Sequence, residues 1–366
     1  MRFTCNVAEL NEALSIAFHA IPVKSAKPVL EGIQIEAMGD SIILTSTDMA
    51  MGIECHVNAS VEEEGSVVLP GRFFCEIARK LPGTEVSISV NERYVAYIQS
   101  FQFKTTIAGM DAIEFPELPT IKGQTLQVTE KQLKRLINGT LFSVAVDEIR
   151  PVLTGCLFEI ENSEIRVVAL DGYRLAICKD ELSFLSEKIH AVIAGKILGD
   201  VAKILSDTED MVTITFSRSH VSFRIGENQM IGRLLEGEYM PYKQIIYDDF
   251  MTRITINRVE LMNSMDRAML VGRESKSNLA TLKIDSYARL LVILMNNTSM
   301  EEKIEIECEG KDLEIAFNVK YMLDILKSIS DEEIVIRFKK NVNPCVICPP
   351  DENDRYRYLI LPVRVS

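Results

Sequence analysis

The 366-residue sequence contains no apolar run of about 18 residues, so no transmembrane helix is expected. The opening segment MRFTCNVAEL carries Glu9, with Glu12 just beyond, and lacks an apolar core, so no signal peptide is expected either. The four histidines, His19, His56, His190 and His220, stand apart and form no HExxH pattern. Neither GxxxxGK[ST] nor GxGxxG occurs. No nucleophile stands beside a recognisable base, so no catalytic residue is assigned and no cofactor is implied. Eight cysteines are scattered through the chain, which points to reduced thiols in a cytoplasm rather than a disulfide framework. Cys345-Val346-Ile347-Cys348 is a CxxC, but no second pair lies at zinc-ligand spacing. Its neighbours read as a strand, where positions i and i+3 face opposite ways, so no metal site is expected. Positive charge is also short: 40 Lys and Arg stand against 53 Asp and Glu, a net charge of -13. In bulk this argues against nucleic-acid binding, which draws its non-specific affinity from cations on phosphates. A local basic surface would escape that argument.

What is present is ordinary globular composition, with 47% hydrophobic and 25% charged residues. The length allows two to four domains of ~100–200 residues. Two stretches read alike at an offset of 123: Lys27-Pro28-Val29-Leu30-Glu31-Gly32 and Arg150-Pro151-Val152-Leu153-Thr154-Gly155. Three helical segments are clearer still, opening at Arg72, Lys196 and Lys320 with offsets of 124 and 248. The chain therefore reads as three copies of one unit, spanning 1–123, 124–249 and 250–366, with Pro116, Pro119, Gly123 and Pro241 marking the junctions. Each unit is expected to hold two helices. The first spans about 7–19, 130–142 and 258–270, with apolar stripes Leu10, Leu14, Phe18; Leu133, Ile137, Leu141; and Leu261, Met265, Met269. The second spans about 72–81, 196–205 and 320–329. Period-two runs such as 34–37 and 101–107 read as strands. The expected class is α+β, with helices on one face of antiparallel sheets.

The second helices carry cations at the same two repeat positions: Arg72 and Arg79, Lys196 and Lys203, Lys320 and Lys327. The i, i+7 spacing puts both on one helix face, two turns apart. An acid lies at i+4 each time: Glu76, Asp200 and Asp324. On one helix this pattern is most simply a solvated face with ion pairs worth ~0.2–0.5 kcal/mol each. Threefold repetition favours another reading. Three units arranged about an axis can turn these helices inward and line a basic hole within an acidic molecule. Such a hole suits a threaded polyanion held by weak, salt-sensitive, sequence-independent contacts.

The whole chain resembles the bacterial DNA polymerase III beta subunit family, the sliding clamps. The likeness rests on the three-repeat length, Met1-Arg2-Phe3, Lys27-Pro28-Val29-Leu30, Asp171-Gly172-Tyr173-Arg174-Leu175-Ala176 and the terminal Leu359-Ile360-Leu361-Pro362-Val363-Arg364. The resemblance implies three clamp domains per chain and a head-to-tail homodimer closing into a ring around double-stranded DNA. It implies a non-catalytic processivity factor. Its partners would be the DNA polymerase III catalytic subunit, the clamp loader, and other polymerases and repair proteins carrying clamp-binding motifs, with no membrane. It adds Lys24 and Arg150 to the DNA-contacting set. It places Phe73, Thr105 and Ile107 on one side of the subunit interface and Leu270 and Val271 on the other.

The resemblance also implies a peptide cleft between the second and third domains. One wall is Leu153, Thr154, Gly155, Leu170, Gly172, Tyr173, Arg174 and Leu175. The other is Val342, Pro344, Leu359, Leu361, Pro362, Val363 and Arg364, with Met240, Gln244 and Ile245 from the junction. An apolar groove of this kind takes Leu and Phe anchors, while backbone groups and Arg174 fix their orientation. The family often has Pro where Met240 stands, a basic residue at Gln244 and His at Tyr173. Read without the resemblance, Asp171-Gly172 is a turn signal and Leu359–Leu361 an ordinary strand. The alternative function is a three-repeat β-rich enzyme with an acidic substrate cleft.

Overall fold

The computed structural model describes residues 1–146, 149–275, 278–295, 300–351 and 353–363. The described helices are α1 (Val7–Ala17), α2 (Gly71–Ala78), α3 (Glu130–Asn138), α4 (Gly195–Ile204), α5 (Arg258–Ser275) and α6 (Val319–Ser328). Each of the expected helices is present, and the second of each pair begins one residue earlier than the repeat suggests. α1 gives way to a 3-10 turn at Phe18–Ala20. α3 stops before Gly139, where a Cβ would lie 2.4 Å from Cys178 Sγ, and a 3-10 turn follows at Leu141–Ser143. α5 runs on to Ser275, past the end of its apolar stripe at Met269, because no proline interrupts it.

Side chains cap the three first helices. Asn6 Oδ1 accepts from the amides of Ala8 (2.8 Å) and Glu9 (3.3 Å), and Asn257 Oδ1 accepts from Glu260 (3.0 Å). Thr129 and Gln132 form a reciprocal capping box at 3.2 and 3.0 Å. Leu10, Leu14, Leu133, Ile137, Leu261 and Met265 are buried, each a gain of ~1.5–3 kcal/mol for full burial. The third members of the stripes stay partly exposed: Phe18 and Leu141 lie in the 3-10 turns beyond α1 and α3, and Met269 lies within α5.

Two compact units divide the chain: residues 1–133 with 200–234, and 134–199 with 235–366. The middle repeat thus contributes to both. All described ladder pairings are antiparallel. In the first unit, strand Arg2–Asn6 lies between Met51–Glu63 and Glu85–Val90, followed by Val95–Ser100 and Phe103–Ala108. The last begins two residues later than the expected run at 101, since Phe101 occupies a turn at φ 52°. Another sheet runs Gly65–Pro70, Gly32–Met38, Ser41–Thr47, Met51–Glu63, Asn228–Leu235, His220–Ile225, Met211–Phe216 and Gln124–Thr129. α1 packs on α2, with Asn11 Nδ2 donating to Ala78 O at 3.1 Å.

In the second unit, one sheet runs Gly155–Leu170, Arg174–Ala194, Tyr356–Ile360, Cys345–Cys348, Glu333–Phe338, Thr252–Asn257 and Glu307–Gly310. Another runs Glu301–Glu305, Leu290–Met295, Leu279–Asp285 and Leu313–Asn318. α5 packs on α6, with Arg258 Nη1 donating to Leu326 O at 3.1 Å. The CxxC is a strand, as expected, and burial pushes the Cys345 thiol up to about 12.

Candidate nucleic-acid interface and peptide cleft

The eight candidate DNA cations, Lys24, Arg72, Arg79, Arg150, Lys196, Lys203, Lys320 and Lys327, are all exposed. Their local settings differ. Arg72 and Arg79 stand 5.2 and 5.8 Å from the ring centre of Phe18, so the partly exposed end of α1 supports both guanidinium groups. On α4, Lys203 Nζ lies 2.8 Å from Asp200 Oδ1, which also sits 3.2 Å from His19 Nδ1. Burial works against the Asp200 carboxylate, yet His19 and Lys203 outweigh it and hold its pKa below the usual range. On α6, Lys327 Nζ lies 3.3 Å from Asp266 Oδ1, an exposed pair. Asp324, the repeat counterpart of Asp200, turns instead to Arg174.

The Asp171-Gly172 turn and its neighbours form the centre of the expected cleft. Asp171 Oδ1 accepts from the amides of Tyr173 (2.9 Å) and Arg174 (3.0 Å), and Gly172 takes φ 90°, where a side chain is strained. The turn reading is therefore correct as local geometry. The strand leaving it pairs Arg174 with Ile360 and Leu175 with Leu359, and the Leu361 amide donates to Tyr173 O at 2.9 Å. The two expected walls are thus joined by a backbone ladder. Leu153, Leu170, Leu175 and Leu359 share one buried cluster with Tyr239, Tyr242 and Val346. Large apolar side chains of the same set remain exposed: Tyr173, Met240, Ile245, Val342, Leu361 and Val363. Thr154, Gly155, Gln244, Pro344 and Pro362 complete the described set. Gly155 is buried, Thr154, Pro344 and Pro362 are half-buried, and Gln244 is exposed. Arg364 lies outside the described residues.

A cavity of about 620 Å³ opens beside Leu153 and Met240. Pro151, Val152, Tyr239 and Pro241 supply its further apolar lining, and Arg150, Glu236 and Glu238 its charged groups. The junction segment is anchored by tyrosines that sequence reasoning passed over. The Tyr242 hydroxyl donates to Glu159, Tyr239 to Val168 O (3.3 Å), and Tyr247 to Pro344 O. Burial pushes the Tyr247 hydroxyl up to about 12. Burial works against the Glu159 carboxylate too, but the Tyr242 hydroxyl, Lys243 and Arg166 outweigh it and hold its pKa below the usual range.

Of the expected interface residues, Phe73 and Leu270 are exposed and Thr105 and Val271 half-buried. Ile107 is only 2% exposed, because strand alternation turns its side chain to the buried face of the sheet. Among the described residues, strand Phe103–Ala108 pairs only with Val95–Ser100, and Glu301–Glu305 only with Leu290–Met295, so each is a sheet edge.

Repeated helix pairs on antiparallel sheets, basic helix faces and a ladder-backed apolar groove define a three-domain clamp fold. Three family models match in succession: the DNA polymerase III beta subunit N-terminal domain over residues 1–119, the central domain over 127–241 and the C-terminal domain over 243–364. The chain is 35% identical to the beta sliding clamp of Staphylococcus epidermidis, covering 100% of this chain and 99% of that one. The sliding clamp structure from Bacillus subtilis superposes with a TM-score of 0.96 at 34% identity, covering 100% of both chains. The DNA polymerase III beta chain structure from Streptococcus pneumoniae gives a TM-score of 0.94 at 29% identity, again covering 100% of both. The chain belongs to the DNA polymerase III beta subunit family, the beta sliding clamps, which are non-catalytic. The alternative reading, an enzyme with an acidic substrate cleft, is overturned by that membership. No helix of the described residues is long and apolar enough to cross a membrane.

Proposed function

We propose that this chain is the processivity factor of a replicative DNA polymerase, acting in the cytoplasm as a head-to-tail dimer closed into a ring around duplex DNA. Its domains are taken as 1–123, 124–249 and 250–366, close to the three family-model matches. The observation that carries this reading is the exposed pair of cations at equivalent positions of α2, α4 and α6 in a chain of net charge -13. Arg72, Arg79, Lys196, Lys203, Lys320 and Lys327, with Lys24 and Arg150, attract the phosphate backbone without reading sequence. Few and solvated, such contacts let the ring slide. The acidic remainder repels DNA from other surfaces.

The subunits join at the two sheet edges. Phe73, Thr105 and the backbone around Ile107 meet Leu270 and Val271 of a second copy, with strand addition supplying main-chain hydrogen bonds. A heterologous contact of this kind closes when the rotation suits. The cleft takes short motifs from the polymerase catalytic subunit, the clamp loader, and other polymerases and repair proteins. Tethering makes polymerase rebinding intramolecular, so processivity rises without chemistry.

The test is topological. Clamp loaded onto nicked circular DNA is retained through gel filtration, and cutting the circle releases it. Equal retention on circle and linear product refutes enclosure.

A further inference from the structure

Arg174 sits on the cleft strand, yet its side chain is only 8% exposed and its donors are engaged inside the molecule. Nε donates to Asp171 Oδ2 (2.9 Å), Nη1 to Asp324 Oδ2 (2.6 Å) and Nη2 to Phe142 O (2.6 Å). Its guanidinium carbon lies 4.5 Å from the ring centre of Tyr321 and 5.4 Å from that of Phe142. Asp324 and Tyr321 belong to α6, the helix carrying Lys320 and Lys327.

The repeat supplies an internal comparison. Asp200 on α4 and Asp324 on α6 hold the same position, each three residues before a lysine. Asp200 captures Lys203 at 2.8 Å. Asp324 is instead claimed by Arg174, and Lys320 makes no ion pair among the described residues. A carboxylate at this site is within reach of its own helix's lysines, as α4 demonstrates, and a planar, always-charged guanidinium beside two aromatic rings outcompetes them.

We propose that Arg174 is a positioning residue for DNA: from the cleft side it neutralises Asp324 and so sets the positive charge that α6 offers to phosphate. This rests on the DNA reading of α6 given above. Without Arg174, Asp324 turns to Lys320 or Lys327, as Asp200 turns to Lys203, and the phosphate attraction of α6 falls. The cleft strand and the cationic helix are thereby one electrostatic unit.

The test is fluorescence anisotropy of a labelled duplex with the full chain at low ionic strength. Arg174→Ala is expected to weaken binding about threefold, the effect of one uncompensated charge near the site. Asp324→Asn is expected to bind about twofold tighter than the parent, since it removes a negative charge from α6. The double variant is expected to return to about the parent's affinity, since it removes one charge of each sign. A purely structural role gives the opposite sign for Asp324→Asn, because both single variants then loosen the same contact. Because Arg174→Ala also leaves the Phe142 carbonyl without its donor, the near-isosteric Asp324→Asn carries the test by itself. Weaker binding by Asp324→Asn, or a double variant as weak as Arg174→Ala, overturns the proposal. The variant Lys320→Ala/Lys327→Ala tests the underlying reading: unchanged DNA affinity there removes α6 from the DNA interface, and the proposal falls with it.

Discussion

In the proposed peptide cleft, Leu361 is expected to separate peptide binding from stability. It lies one residue past strand Tyr356–Ile360, and its side chain is 43% exposed, whereas Leu175 and Leu359 are buried at 2% and 3%. A peptide anchor seated on Leu361 covers roughly 80 Å² of leucine surface, worth ~2 kcal/mol at ~25 cal/mol per Å². Leu361→Ala therefore lowers affinity about 30-fold. Its backbone amide still donates to Tyr173 O, so the ladder between the walls survives. Leu175→Ala acts differently. It opens a cavity in the cluster shared with Leu153, Leu170 and Tyr242, costing ~2–5 kcal/mol of stability. The assay pairs anisotropy of a labelled clamp-binding peptide with urea unfolding of the same preparations. The expected pattern is a large affinity loss with a nearly unchanged urea midpoint for Leu361→Ala, and a shifted midpoint for Leu175→Ala. Peptide affinity within twofold of the parent, or a midpoint falling as far in Leu361→Ala as in Leu175→Ala, refutes the division into floor and rim.

The depressed pKa of Glu159 gives a pH signature. Its contribution is present above the unfolded carboxylate value of ~4.3 and is lost as pH falls through its lower folded value. Glu159→Gln should flatten the acid limb of the stability profile below about pH 4.3, and an unchanged limb would remove the Tyr242–Glu159 contact from the junction's anchoring. The thiols offer a second test. Seven cysteines are buried, and burial pushes those of Cys5, Cys55 and Cys156 up to about 12, while Cys308 is half-buried. A thiol reagent should label Cys308 first and the others only on unfolding; two or more fast-reacting native thiols would contradict this. For DNA, Lys196→Ala and Lys320→Ala should each reduce the slope of log affinity against log salt by ~0.9, and an unaltered slope would exclude that lysine from phosphate contact.

The helices were legible in the sequence because their signal is local and repeated. Leu10 with Leu14, Leu133 with Ile137 and Leu261 with Met265 fix a buried face at four-residue spacing, and the repeat triples the signal. Helix ends were less legible. α3 stops at Asn138, and the residue that follows must be glycine because the Cys178 thiol, 39 residues downstream, leaves no room for a side chain at Gly139. The cleft's floor could be reached only through resemblance, since the ladder of 174–178 with 356–360 joins segments far apart in sequence. Tyr239 and Tyr242 were passed over because an aromatic pair after a turn carries no signature; only the fold places their hydroxyls against Val168 O and Glu159. Ile107 shows the limit of edge placement by alignment. Strand alternation decides which residues face out, and Ile107 faces in.

The two junctions show what distinguishes the cleft. In the first unit, Asp48 Oδ1 accepts from the amides of Ala50 (3.0 Å) and Met51 (2.8 Å), just as Asp171 Oδ1 does from Tyr173 and Arg174. The Arg233 amide donates to Ala50 O at 3.0 Å, the counterpart of Leu361 donating to Tyr173 O at 2.9 Å. Even the turn conformation is shared, with Met49 at φ 74° where Gly172 has φ 90°. The backbone scaffold is thus duplicated. What differs is side-chain content: Gly52 stands where Leu175 does, with the Leu118 side chain packed close over it, and Ala50 and Met51 replace Tyr173 and Arg174. The first junction therefore lacks the guanidinium, its aromatic support and the leucine of the groove floor. On the proposed reading, a few substitutions on a turn the molecule builds twice make the peptide site, and the first junction is therefore expected to stay silent in the peptide assay that reports on Leu361.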